Sequence, residues 1–296
     1  MPSSQGLKTP KTWPNTDPVT RYIDSLKSVA SQFDAIVLDQ WGVLHDGQRP
    51  YPNANSIIKD LRDQGMRFAV LSNSGKRSEP NAKRITGFGF DPAHFEFVMT
   101  SGEALWRDMS AGRIAQTRFF PIEGTAGDAA AFAAGLDITI VTKAEDAQAI
   151  LLMGLPDGGD PSHWDGAFED ALATDKPVYC SNPDRASPRG SGYVISPGAL
   201  AHAHAKKGGH VVFYGKPHRP VFEALERALC TNRLLMVGDS LEHDIAGGKG
   251  AGWQAALIQG GLYAGDFAAD NSDATLAKLM TNKRAPAPDY RLDWLQ

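Results

Sequence analysis

The amino-acid sequence predicts an α/β protein built on a parallel sheet, with a second α/β unit inserted into the first. Three observations lead there. Short apolar runs end again and again in polar or glycine residues, helix-period segments follow several of them, and the middle third has a texture of its own. In AIVLDQWGVLHDG (35–47), Ala35 to Leu38 are apolar enough for both faces of a covered sheet, yet the run ends on Asp39. Ala54, Ile57, Ile58 and Leu61 then fall at i, i+3, i+4 and i+7, with Pro52 near the start and Gly65 past the end, which predicts an amphipathic helix. RFAVLSNS (67–74) is a second strand breaking into polar residues. FEFVMTSGEAL (95–105) repeats the form, with Thr100 and Ser101 placed to cap a helix. HVVFYGK (210–216) and RLLMVGDS (233–240) are expected to complete this sheet.

Between residues 106 and 205, TRFFPIEG (117–124), DITIVT (137–142), AQAILLMGL (147–155) and KPVYCSNPD (176–184) also read as strands with intervening helices. The expected organisation is a loose N-terminal arm at 1–18, a core of 19–105 with 206–296, and an inserted α/β unit of 106–205. The tail APAPDYRLDWLQ (285–296) is expected to pack on its own chain, with a contact in a homodimer as the alternative. HAHAKKGGH (202–210) sets His202 and His204 two apart, which in a helix points them away from each other, so they read as a surface feature.

Composition excludes several classes. The chain has 296 residues, 42% hydrophobic and 22% charged, with net charge −4 and no long run of one sign. That gives no footprint for nucleic acid and no polybasic membrane patch. Cys180 and Cys230 lie far apart and outside any Cys-x-x-Cys spacing, which argues against a disulfide framework or zinc site. The first residues lack the apolar run of a signal peptide and no later stretch is long enough for a bilayer span, so the expected location is cytoplasmic.

In open parallel sheets, ligands bind at the carboxyl ends of the strands. Asp39, Ser72, Lys216 and Asp239 sit at such ends, and Asp244 follows one helical turn after Asp239. Carboxylates with one lysine suit a hard divalent ion, Mg2+, holding a phosphoryl group, because such ions take oxygen ligands and share them with phosphate. Asp39 is then placed for in-line attack, with Ser72, Asn73 and Lys216 on the phosphoryl oxygens.

These residues also carry a family resemblance. Asp39 in DQWGVL, Ser72 in LSNS, Lys216 in YGKP and the run GDSLEHD (238–244) resemble the four motifs of the haloacid dehalogenase superfamily. The likeness continues through AGGKGAGW to LIQGG (246–261). The insertion between the second and third motifs resembles class IIA, the branch of nitrophenylphosphatases and pyridoxal-phosphate phosphatases, as do TSGEAL, CSNPD and SPGAL. The resemblance implies a Rossmann-like core with an α/β cap domain. It implies Asp39 as nucleophile and metal ligand, the Trp41 backbone carbonyl and Asp239 as further ligands, and Asp244 assisting through water. Ser72, Asn73 and Lys216 would hold the phosphoryl group of a small phosphorylated metabolite, and Asn182, Asp184 and Arg185 of the cap would select the leaving group.

One position departs from the family pattern. Phosphatases of this superfamily carry an Asp two residues after the nucleophile as general acid and base, and Trp41 stands there. Along an extended strand, side chains two apart point the same way, so the indole is expected on the leaving-group side of Asp39, able to stack on an aromatic group. An indole exchanges no proton with an ester oxygen. A positioned acid–base group contributes ~10² to 10⁴-fold, roughly 3 to 5 kcal/mol of barrier. Three readings follow: another group supplies the proton, with His45, Asp46, Glu242 and His243 as candidates; substrates have good leaving groups; or the protein is a non-hydrolytic phosphoryl-ligand binder, a regulator or a slow phosphotransferase.

Overall fold

The computed structural model describes residues 19–156, 158–189 and 192–296. The expected N-terminal arm, 1–18, lies outside them. The strands in chain order are β1 (Arg21–Tyr22), β2 (Ala35–Leu38), β3 (Arg67–Ser72), β4 (Phe97–Thr100), β5 (Arg118–Ile122), β6 (Thr139–Ile140), β7 (Ala149–Leu152), β8 (Val178–Cys180), β9 (Ala186–Arg189), β10 (Gly192–Ile195), β11 (Val211–Phe213), β12 (Leu234–Gly238), β13 (Gln254–Ile258) and β14 (Tyr290–Leu292). They form a seven-stranded sheet in the order β1-β14-β13-β12-β2-β3-β4, a five-stranded sheet in the order β11-β8-β7-β5-β6, and the pair β10-β9. Every pairing in the two larger sheets is parallel, and β9 with β10 is antiparallel.

The central strand β2 explains why its sequence is apolar throughout. Alternate side chains leave a strand on opposite faces, and both faces here are covered. Ala35 and Val37 pack with Val221, Phe222 and Leu225 of the Arg219–Leu229 helix. Ile36 and Leu38 pack with Ile57, Ile58 and Leu61 of the Ala54–Asp63 helix. Burying each of these aliphatic side chains is worth roughly 1.5 to 3 kcal/mol against leaving it in water. Phe119, Ala149 and Leu151 of the second sheet belong to the same apolar cluster as Ala35 and Val37, so one continuous core reaches both sheets.

Two expectations need correction. The strand at 210–216 is not in the first sheet: β11 pairs with β8, Val211 opposite Val178, and the second sheet therefore extends beyond residue 205. A short apolar run carries no label for its partner, and this one is the return strand from the inserted segment. The histidines at 202–204 are not a surface pair. His204 is buried against Phe168, with Gly209 so close that a Cβ there would overlap the ring. His202 stacks on Phe213, whose ring also stacks on His218. The tail supplies β14, and Tyr290, Leu292 and Leu295 are buried.

Candidate active site

Asp39 follows the last residue of β2, and its N–H is donated to the Val237 carbonyl of β12. Asp239 follows the last residue of β12, the next strand in the sheet, so the sheet brings both carboxylates to one edge. After Ser240 the chain makes a single wide turn, Leu241–Ile245, in which the Ser240 carbonyl accepts the Ile245 N–H. Turns of this i→i+5 kind recur at functional sites. Here the turn places Asp244 against Gly238, where a Cβ would collide with its carboxylate. Asp39, Asp239 and Asp244 each offer an oxygen, and these atoms lie within 4.8 Å of one another.

Lys216 completes the cluster from elsewhere. It lies three residues beyond β11, in the connection from the second sheet to the Arg219–Leu229 helix. Only 3% exposed, its Nζ donates to Asp39 Oδ1 at 2.6 Å and to Asp244 Oδ1 at 2.7 Å. Asp244 Oδ2 accepts the Ser240 N–H at 3.0 Å, and Asp239 Oδ2 accepts the Leu262 N–H at 2.8 Å. Burial opposes the Lys216 charge, but Asp244 and Asp39 outweigh it and hold the ammonium above the ordinary lysine pKa. Burial raises the Asp39 carboxyl, Lys216 pulls it down and Asp244 pushes it up again, leaving a net rise. Asp239 rises as well, by burial first and then through Asp39 and Asp244.

Three carboxylates around one ammonium leave an excess of negative charge in a mostly buried place, and a divalent cation relieves it. The donor set is all oxygen, the preference of a hard ion such as Mg2+ or Ca2+. The backbone leaves room for that arrangement and little else: a Cβ on Gly42 or Gly261 would overlap the Asp239 side chain, and Gly42 also holds φ at +81°. Gly42 and Gly261 are thus parts of the site that sequence reading passed over, although Gly42 stands inside DQWGVL. The Trp41 carbonyl accepts no backbone hydrogen bond among the described residues, so it is free to serve as the expected further oxygen.

Ser72 ends β3 at the same edge of the sheet. Asn73 is differently employed from the expected phosphoryl contact. Its Oδ1 accepts the Lys216 N–H at 2.7 Å, and its Nδ2 donates to the Lys216 carbonyl at 3.2 Å and to Asp184 Oδ1 at 2.8 Å. The amide therefore fastens the lysine loop to the segment after β8. Asp184 is likewise committed, its N–H donated to Asn182 Oδ1 at 3.0 Å, and Arg185 is exposed.

Trp41 is not placed by strand alternation. Strand β2 stops at Leu38, and the N–H groups of Leu44 and His45 fold back onto the Gln40 carbonyl, so strand alternation does not extend to residue 41. The indole is 50% exposed, lies over Gly47 and stands edge-on to His45 at 5.8 Å. Of the four residues weighed as substitute proton donors, the two carboxylates are committed elsewhere. His45 is fully buried, accepts the Gly47 N–H at Nδ1, and is pushed down to about 4, chiefly by burial. Asp46 accepts the N–H groups of Gln48 and Arg49, and Glu242 pairs with Lys283 at 2.8 Å. His243 uses its N–H on Ser240 Oγ, and its ring has no side-chain partner in the cluster among the described residues.

Comparison with known proteins bears on the fold and the family. A family model described as haloacid dehalogenase-like hydrolase matches residues 36–136, and a second, described as HAD-hydrolase-like, matches 213–281. Chronophin of Bos taurus is 26% identical over 267 residues, covering 80% of this chain and 85% of the relative. The D-glycerol 3-phosphate phosphatase of Mycobacterium tuberculosis is 26% identical over 241 residues, covering 80% and 66%. A solved haloacid dehalogenase-like hydrolase from Brucella suis superposes with a TM-score of 0.73 at 26% identity, over 93% of this chain and all of that one. The fold is that of a parallel α/β hydrolase with a second, inserted sheet. The chain belongs to the haloacid dehalogenase superfamily, in its class IIA branch, and is an enzyme of the phosphatase and hydrolase type.

Proposed function

We propose that this protein hydrolyses the phosphomonoester of a small metabolite through transient phosphorylation of Asp39. The observation that carries the reading is the cluster itself: Asp39, Asp239 and Asp244 with oxygens within 4.8 Å, and Lys216 bonded to two of them. An Asp39 oxygen attacks phosphorus, the ester P–O bond breaks, and its electron pair leaves with the alcohol oxygen. Water then attacks the acyl phosphate, releasing inorganic phosphate and restoring the carboxylate. Ser72 Oγ and Lys216 Nζ hold the phosphoryl oxygens. The metal in this reading is Mg2+, which Asp39, Asp239 and the Trp41 carbonyl would hold, with Asp244 assisting; it would supply positive charge against the phosphoryl oxygens.

The departing oxygen needs a proton that Trp41 cannot give, so this proton comes from water. Leaving groups of low basicity are favoured for that reason, aryl over alkyl esters. The same residue supports a second reading, a phosphoryl-ligand binder, regulator or slow phosphotransferase that captures its ligand with little hydrolysis. The second sheet, β5 to β8 with β11, acts as the cap in both readings. The test is phosphate release from p-nitrophenyl phosphate with Mg2+ and with chelator, by the native chain and Asp39→Asn. Release that needs both the metal and Asp39 supports hydrolysis. Mg2+-dependent binding of phosphate by calorimetry without release supports the second reading.

A further inference from the structure

Beside the acid cluster lies an open crevice of about 1080 Å³ whose lining contains none of Asp39, Lys216, Asp239 or Asp244. One wall begins at Ser74, whose N–H is directed at Ser72 Oγ, and another includes Asn182, the cap of the segment that Asn73 holds. The crevice thus starts where the phosphoryl end of a substrate would stop. Its other side is formed by the residues following β5 and β7. The chain leaves β5 for β6 on one flank and returns to β7 on the other, so the loops after β5 and β7 diverge. Such a reversal is where open α/β sheets leave room for a ligand.

Charge in this crevice is unlike that of the acid cluster. Four cations line it: Lys76, Arg77, Arg84 and Arg107. Four carboxylates line it too, but two are claimed from outside the lining. Glu96 is gripped by Arg67 at 2.8 Å, and Glu79 pairs with Lys83 at 2.6 Å. Glu103 alone serves both Arg77, at 2.6 Å, and Arg107, at 3.0 Å. Lys76 meets Asp128 at 3.5 Å, and Arg84 forms no ion pair among the described residues. Glu103 and Asp128 are therefore left to balance four cations. The first turn of the Ser78–Gly87 helix opens on the same space and adds partial positive charge. Met99, Met153 and Leu155 offer apolar surface for a carbon skeleton.

We propose that this crevice receives the leaving group and selects phosphomonoesters whose leaving group carries a second anion, a carboxylate or another phosphate. The inference rests on the assignment of Asp39 as nucleophile and adds no chemical step to it. Guanidinium groups favour such anions because their paired N–H groups match two oxygens at once. A neutral polyol offers no charge to balance the surplus.

The test compares 3-phosphoglycerate with glycerol 3-phosphate, two primary phosphate esters that differ in a carboxylate against a hydroxymethyl group. The native protein is expected to show kcat/KM at least about tenfold higher for 3-phosphoglycerate, a preference that shrinks as salt rises. Arg107→Gln and Arg84→Gln are each expected to reduce that ratio severalfold. Arg84→Gln is the safer variant, since Arg84 is exposed and holds no ion pair that folding depends on. Equal kcat/KM for the two esters, or a ratio that neither variant moves, overturns the inference. Release from p-nitrophenyl phosphate but from neither metabolite ester overturns it while leaving the Asp39 assignment standing. No release from any of the three removes both.

Discussion

The acid cluster and the crevice next to it handle charge in opposite ways. In the cluster, three carboxylates gather around one buried lysine that bonds two of them, and the imbalance is negative. In the crevice, two arginines share one carboxylate, and the imbalance is positive. Each imbalance would be costly if it stayed closed off from a counter-charge, because buried like charges repel with little screening. Under the proposed function, one molecule takes both ends of a charged ester: a cation-seeking end for the phosphoryl group and an anion-seeking end for what departs. Ser72 at the end of β3 and Ser74 two residues on divide the two environments.

Breaking the negative side should give the largest effects. Asp39→Asn keeps the shape and removes the nucleophile, so steady-state phosphate release should fall about 10⁴-fold or more, measured on the purified variant. Lys216→Met leaves Asp39 and Asp244 without their shared counter-charge. Uncompensated burial of this kind costs about 3 to 5 kcal/mol, so the urea midpoint should fall sharply in metal-free buffer, and added Mg2+ should recover part of it. Recovery by metal distinguishes charge imbalance from simple loss of packing.

Trp41→Asp sharpens the comparison at the boundary. It is expected to raise kcat on alkyl phosphates by up to ~10²-fold and on p-nitrophenyl phosphate much less, because only the poorer leaving group needs a proton. Equal gains on both would show that the substitution acts through something other than proton supply. The smallest effect is on stability. His45 is buried neutral with its pKa pushed down to about 4, against about 6.5 for a free histidine. The unfolded chain therefore takes up a proton at a higher pH than the folded one. The stability linked to His45 is fully present above about pH 6.5 and is lost as pH falls towards 4, by at most about 3 kcal/mol. His45→Gln keeps an acceptor for the Gly47 N–H, and its Tm should fall less between pH 7 and pH 5 than that of the native chain.

The reach of the sequence differed from residue to residue. Asp39, Ser72 and Asp239 were legible because β2, β3 and β12 are apolar on both faces, so a polar residue at the tip has no reason to be in the core. Lys216 was found by its order in the chain, but the strand before it belongs to the other sheet, and apolar runs of three residues do not say which neighbour they pair with. The direction of Trp41 does not follow from alternation, which holds only while the strand lasts, and β2 ends one residue before Asp39. The bonds of Asn73 to Asp184 and to Lys216 were not legible, because they depend on tertiary contacts across 111 and 143 residues. His204 was hidden by Gly209, whose missing side chain makes the space that buries it. The arginines of the crevice sit in SNSGKR and on the following helices as ordinary surface charges, and only the fold gathers them.

In the proposed reaction, phosphorus passes through Asp39. The most direct measurement is mass spectrometry of the protein quenched in acid during turnover of p-nitrophenyl phosphate with Mg2+, followed by mapping of the proteolytic fragments. The prediction is a phosphoryl-sized mass increase on the fragment containing Asp39, discharged by hydroxylamine and missing from Asp39→Asn. Turnover at full rate with no such increase, or with the label on a histidine or serine elsewhere, would contradict it.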